Sequence, residues 1–120
     1  METTLYDKSG RPIAYISSDN DDAIYLWDGH AVCYVYDSKI YGWRGKHIGW
    51  FIDGIIYDNS GYRVGYIRKK CPSATYATPA KYAKYARYAK YAKYAAYARP
   101  ALSTGQSDLG LKEFLEQDRV

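Results

Sequence analysis

The chain has 120 residues and a mass of 13.7 kDa, enough for one small domain with a segment left over. Its apolar fraction of 48% is carried unusually by 16 Tyr and 3 Trp, whose polar edges suit recognition and assembly surfaces more than an oily core. The net charge of +4 is local: residues 1–71 hold nine basic and nine acidic residues, residues 72–100 six basic and no acidic ones, and residues 101–120 two against four. Any polyanion-binding hypothesis is thereby confined to residues 72–100.

No stretch approaches the roughly 18 consecutive apolar residues of a membrane span. The opening METTLYDKSG lacks the charged-then-apolar pattern of a secretory signal. A soluble cytoplasmic protein without membrane association is the expectation. Cys33 and Cys71 lie in no metal-ligand spacing, and nothing requires a disulfide between them.

An internal repeat organises residues 1–71. A shift of 16 residues brings Ile24-Tyr25 onto Ile40-Tyr41 and then onto Ile56-Tyr57, with Gly29, Gly45 and Gly61 in register. Val32, Ile48 and Val64 coincide, as do Cys33, Gly49 and Gly65, and then Tyr34, Trp50 and Tyr66. An earlier copy begins at Leu5-Tyr6, with Gly10, Ala14 and Tyr15 in matching places. Each copy reads as a β-hairpin around a Gly that supplies positive φ, and the turns Asp37-Ser38 and Asp53-Gly54 join copies. The fold expected is all-β: four repeated hairpins in an antiparallel meander, arranged pseudo-fourfold or as a small barrel.

Pairing across these turns sets Trp27 opposite His30, Leu26 opposite Ala31, Tyr25 opposite Val32, Val35 opposite Ile40 and Tyr34 opposite Tyr41. One face then collects Tyr25, Trp27, Val32, Tyr34, Tyr41, Trp43, Ile48, Trp50, Tyr57, Val64 and Tyr66. The other collects Ile24, Leu26, Ala31, Cys33, Val35, Ile40, Gly42, Phe51, Ile56 and Ile67, with a small residue (Ala14, Cys33, Gly49, Gly65) at one place in each repeat for close approach near an axis. Both faces are apolar, so the aromatic one needs cover from another subunit or from the tail. Its candidate interaction residues are Tyr25, Trp27, Tyr34, Tyr41, Trp43, Trp50, Tyr57 and Tyr66.

The runs IYGWRGKHIGWFIDG (40–54) and IIYDNSGYRVGYI (55–67) resemble the bacterial domain family described as the four-fold β-flower. The resemblance covers about residues 4–70. It implies an all-β domain and no catalytic residues, since the family has no established activity. Choline- or glucan-binding aromatic repeats are a second resemblance, against which the missing export signal counts.

Residues 72–101 form a stricter repeat, TYA-TPA-KYA-KYA-RYA-KYA-KYA-AYA-RPA from Thr75. An α-helix, at about 100° per residue, would wind its tyrosines around all sides, and a strand would alternate them. Polyproline II, with about three residues per turn, places every Tyr on one edge and every Lys or Arg on another. Ala and Lys favour instead a helix over about 79–98, started at Thr78-Pro79 and stopped at Pro100. Disorder is the third option, and the shared phase of Tyr and Pro favours polyproline II. Candidate tail contacts are Tyr82, Tyr85, Tyr88, Tyr91, Tyr94, Tyr97, Lys81, Lys84, Arg87, Lys90 and Lys93. In the third segment, 102–120, Leu111, Phe114 and Leu115 at helical spacing predict a short amphipathic helix docked on something apolar.

Chemistry is thin. His30 and His47 recur with no partner, and both read as strand residues rather than bases or ligands. Asp19-Asn20-Asp21-Asp22 lacks the Gly and distal Glu of a calcium loop. Asp7, Asp28, Asp37, Asp53 and Asp58 sit in turns, where Asp caps backbone. No catalytic site, metal or cofactor is expected, and the chain reads as a non-enzyme. A structural module is the favoured function: a homo-oligomer, or the binder of a protein partner, formed through aromatic β faces, with the tail in aromatic grooves of its own or a neighbouring subunit. Nucleic-acid or other polyanion binding by the Lys/Tyr tail is second. Carbohydrate binding by Trp27, Trp43 and Trp50 is third.

Overall fold

The computed structural model describes residues 1–87 and 89–119. Eight strands follow in chain order: β1 (Glu2–Tyr6), β2 (Pro12–Ser17), β3 (Ala23–Leu26), β4 (Ala31–Tyr36), β5 (Lys39–Gly42), β6 (His47–Ile52), β7 (Ile55–Asp58) and β8 (Arg63–Tyr66). Each pairs antiparallel with the next, and β8 returns to β1 to close a barrel. Turn chemistry explains the meander. Gly10, Gly29, Gly45 and Gly61 take φ between 86° and 98°, while Asp37-Ser38 and Asp53-Gly54 hold left-handed φ at both positions, which matches the twist of two-residue hairpins. Closure is the thinnest junction, a single β1–β8 pair among the described residues, Tyr6 with Tyr66.

Across the turns between copies the register is as expected, with Val35 opposite Ile40 and Tyr34 opposite Tyr41. Within each copy it differs by one residue. Ile24 pairs with Cys33 but Tyr25 pairs with Ala31, so Val32 is an extra residue in a β-bulge. The same bulge recurs between Leu5/Tyr6, Ile40/Tyr41 and Ile56/Tyr57, and it makes Ile13, Ile48 and Val64 the extra residues. A bulge sends two consecutive side chains to one side. Val32, Ile48 and Val64 therefore point into the barrel core and not onto the aromatic face, and Ala31 packs on the aromatic side.

The barrel interior holds Leu5, Ala14, Ile16, Ile24, Leu26, Val32, Cys33, Ile40, Ile48, Ile56 and Val64. What approaches the axis is the short helix α1 (Leu111–Leu115), whose Leu111, Phe114 and Leu115 are all buried in this core. The small residues make room for it. A Cβ on Gly49 would lie 2.4 Å from Phe114 Cζ, and one on Gly65 would lie 2.7 Å from Leu111 Cδ1. The predicted amphipathic helix thus docks inside its own barrel as a plug.

Between β8 and α1 no α-helix occurs among the described residues, so the helix that composition favours over about 79–98 does not form. A helix would use the N–H groups of Tyr82, Tyr85, Tyr91, Tyr94 and Tyr97 internally, whereas here they are donated to the barrel. Among the described residues no helix is long and apolar enough to cross a membrane.

Candidate interaction surface

The site is the rim formed by the four within-copy turns, together with the aromatic outer wall below it. Each turn Gly presents its carbonyl outward. Tyr76 N–H donates to Gly10 O at 2.9 Å, Tyr85 to Gly29 at 2.9 Å, Tyr94 to Gly45 at 2.9 Å and Ser103 to Gly61 at 3.0 Å. Donors therefore recur every nine residues of tail, while the acceptors follow the barrel repeat. A Cβ on any of these glycines would collide with the tail carbonyl of Ala74, Ala83, Ala92 or Ala101, at 2.0–2.2 Å. Intermediate bonds repeat at the same interval: Tyr82 N–H to Trp27 O at 3.1 Å and Tyr91 N–H to Trp43 O at 2.9 Å. Tyr97 N–H instead donates to Nδ1 of buried His47, at 3.0 Å.

The tyrosine edge of the tail is mostly open to solvent, with Tyr85 stacked on His30 at 4.2 Å and Tyr97 lying 5.7 Å from the His47 ring. The described tyrosines from Tyr76 to Tyr97 (76, 82, 85, 91, 94 and 97) are 55% to 69% exposed. The cations reach across the outer wall. Lys81 and Lys84 bind the Glu2 carboxylate, the latter at 3.1 Å, and Arg87 donates to Asn20 O at 2.9 Å and lies 3.6 Å from Asp21. The Lys81 hydrogen bond, with that of Lys84, holds the Glu2 carboxyl below its ordinary pKa. Lys81 sits 4.9 Å over Tyr15, Lys84 5.4 Å over Tyr25, Lys90 4.2 Å over Tyr34 and Lys93 4.4 Å over Tyr36. Tyr88 lies outside the described residues.

The aromatic residues are brought together on that wall as two clusters. Tyr15, Tyr25, Tyr34, Tyr41 and Trp43 form one, flanked by Trp27, and Trp50, Tyr57 and Tyr66 belong to the other. Most are tied to the barrel itself. Tyr15 stacks on Tyr25 at 5.6 Å, Tyr34 on Tyr41 at 5.9 Å, and Trp27 and Trp43 donate Nε1–H to Pro12 O and Ala31 O. All eight sequence candidates except Trp27 are buried in the single chain. Burial pushes the Tyr15 phenol up to about 12, helped by the Glu2 carboxylate, and raises Tyr34 and Tyr66 as well. Cys33 is wholly buried in the barrel core, and burial pushes its thiol well above the ordinary range.

Four contributors were missing from the sequence candidates. Tyr15 holds the repeat place of Tyr34, Trp50 and Tyr66, and that alignment was signal enough. His47 gave none, because its role lies in meeting the tail. Glu2 precedes the repeat and pairs with residues some eighty positions away. The fourth is Asp118: Asp7 and Asp58 cap their own turns, but Gly42 stands at the matching place in the third copy.

Comparison with known proteins adds one match. No curated protein and no solved structure matches the chain. The family described as 4-fold beta flower protein matches residues 3–115, which takes in the hairpin repeats, the triplet tail and the plug helix. With nearly its whole length inside that match, this chain belongs to the 4-fold beta flower protein family.

Proposed function

We propose that the protein is a non-enzymatic structural and interaction module whose triplet tail docks on its own barrel and presents an outward row of tyrosines to a partner. The observation that carries this reading is the shared register. Tyr76, Tyr85, Tyr94 and Ser103 meet Gly10, Gly29, Gly45 and Gly61 one after another, three triplets per hairpin copy. A polyproline II segment rising ~3.1 Å per residue covers about 28 Å in nine residues, so the three arcs between the four donors span roughly 84 Å. That is about three quarters of the girth of a body about 35 Å across, and the longer dimensions of the molecule are 36 and 34 Å.

The surface that remains for a second copy or a protein partner is the tyrosine edge, since the aromatic wall lies under the tail. Tyrosine suits this role because it offers large, stiff contact area with a hydrogen-bonding tip. Polyanion binding would have to remove Lys81, Lys84 and Arg87 from Glu2 and Asp21 and Lys90 from Tyr34. Glycan binding would have to uncover Trp43 and Trp50.

Amide hydrogen exchange at Tyr76, Tyr85 and Tyr94, measured with the solution mass over a wide range of protein concentration, tests the reading. Docking on the same chain predicts protection that does not change with dilution. Protection that disappears as the mass falls would assign the tail to a neighbouring subunit, and unprotected amides at every concentration would remove the tail from the fold altogether.

A further inference from the structure

The four rim turns share one backbone. In each, the N–H of the turn Gly returns to the carbonyl three residues before it: Gly10 to Asp7, Gly29 to Leu26, Gly45 to Gly42 and Gly61 to Asp58, all at 3.0 Å. In the first and fourth turns a carboxylate completes this frame. Asp7 Oδ1 accepts from Ser9 N–H and Arg11 N–H at 3.0 Å each, and Asp58 Oδ1 accepts from Ser60 N–H and Tyr62 N–H at 2.9 Å each. Both are the amides two and four residues along. In the third turn that place is Gly42, which has no side chain to offer.

The same two amides are nevertheless bonded. Asp118 Oδ2, arriving from beyond the plug helix, accepts from Arg44 N–H and Lys46 N–H at 3.0 Å each. Its position is that of the missing side chain: a Cβ built on Gly42 would lie 2.0 Å from Asp118 Cβ and 2.5 Å from Asp118 Oδ2. Gly42 has no left-handed φ, so it is not there for backbone freedom. It leaves a vacancy that Asp118 fills.

We infer that the 42–46 turn is a carboxylate-binding site and that Asp118 is a latch which, by occupying it, holds the plug helix in the barrel. Only Glu116 and Gln117 lie between Leu115 and Asp118, so the chain has little slack between the bonded carboxylate and the side chains buried among Gly49, Gly65 and the core. The inference goes beyond the proposed function and does not depend on where the tail docks. It makes the plug separately releasable: freeing one carboxylate loosens the segment that fills the barrel, and leaves the girdle of Gly carbonyl contacts intact.

Hydrogen exchange of the full chain and a mutant cycle test it. Asp118→Ala should speed exchange at Arg44, Lys46 and residues 111–119 by roughly tenfold, the scale of hydrogen bonds to a charged acceptor at a partly exposed site. Gly42→Asp should rebuild the cap within the turn and evict Asp118. Arg44 and Lys46 then stay protected while 111–119 exchange as fast as in Asp118→Ala, and the double variant behaves as Gly42→Asp alone. Unchanged protection of 111–119 in Gly42→Asp would overturn the latch. Should that variant fail to fold, Asp118→Asn, which keeps the shape and an acceptor without the charge, is expected between wild type and Asp118→Ala; wild-type protection of 111–119 in both Asp118 variants would equally overturn it.

Discussion

His47 is the residue at which the tail touches a titratable group. Its ring is buried among Tyr41, Trp50 and Tyr97, and Nδ1 serves as acceptor for Tyr97 N–H, a role open only to the unprotonated nitrogen. Burial, with Lys39 nearby, holds its pKa below the ordinary 6.5. The unfolded chain therefore takes up the proton first, and stability rises with pH across this interval. The contribution is complete above about pH 6.5 and is lost as the pH falls through the lower folded-state value. Melting temperature should accordingly drop on mild acidification, before the carboxylates titrate, and His47→Asn should flatten that drop because an amide oxygen accepts without taking a proton. A parallel slope in the two proteins would show that another group is responsible.

The plug is the element with the largest single contribution to the core. Phe114 is wholly buried, its ring against Gly49, and Phe114→Ala opens a cavity in the barrel core. A loss of about 3–5 kcal/mol in urea denaturation is expected, against less than about 1 kcal/mol for exposed Leu109→Ala. The helix itself was legible in the spacing of Leu111, Phe114 and Leu115, as were the hairpins in their Gly turns. Its place inside the barrel was not, because the small residues Gly49 and Gly65 mark a close approach without naming what approaches. The bulges were hidden for a related reason. Counting outward from a turn assumes one partner per residue, and Val32, Ile48 and Val64 are the residues that break that count. For the tail, helix propensity and the triplet period pulled in opposite directions, and the outcome was decided by acceptors at Gly10, Gly29, Gly45 and Gly61, far away in the chain. The aromatic residues were legible as a set in the repeat spacing of Tyr34, Trp50 and Tyr66.

At the scale of the whole molecule, both ends of the tail meet at the weak β8–β1 seam. Ser73 Oγ–H donates to Lys8 O on one side, and Ser107 N–H donates to Arg63 O on the other. Gln106 also receives the Tyr66 hydroxyl, so the last barrel strand is held by the last stretch of tail. Barrel and tail should therefore unfold together, with far-ultraviolet circular dichroism and Trp fluorescence tracing one transition in urea. Deleting one triplet, Lys90–Ala92, shifts each later tail donor by three residues and should shift the Ser103 and Ser107 contacts off the seam; a clear fall in the urea midpoint is expected, and an unchanged midpoint would mean the seam closes without them. The pairing of repeats also constrains how such a chain can grow. One hairpin copy is matched by nine residues of tail, so the two halves work like meshed gears with fixed tooth counts. Adding a petal to the flower would leave the outer ring three triplets short, and lengthening the ring alone would leave it slack. A viable insertion must alter two distant stretches of the gene in proportion, which ties the number of petals to the number of tyrosine triplets.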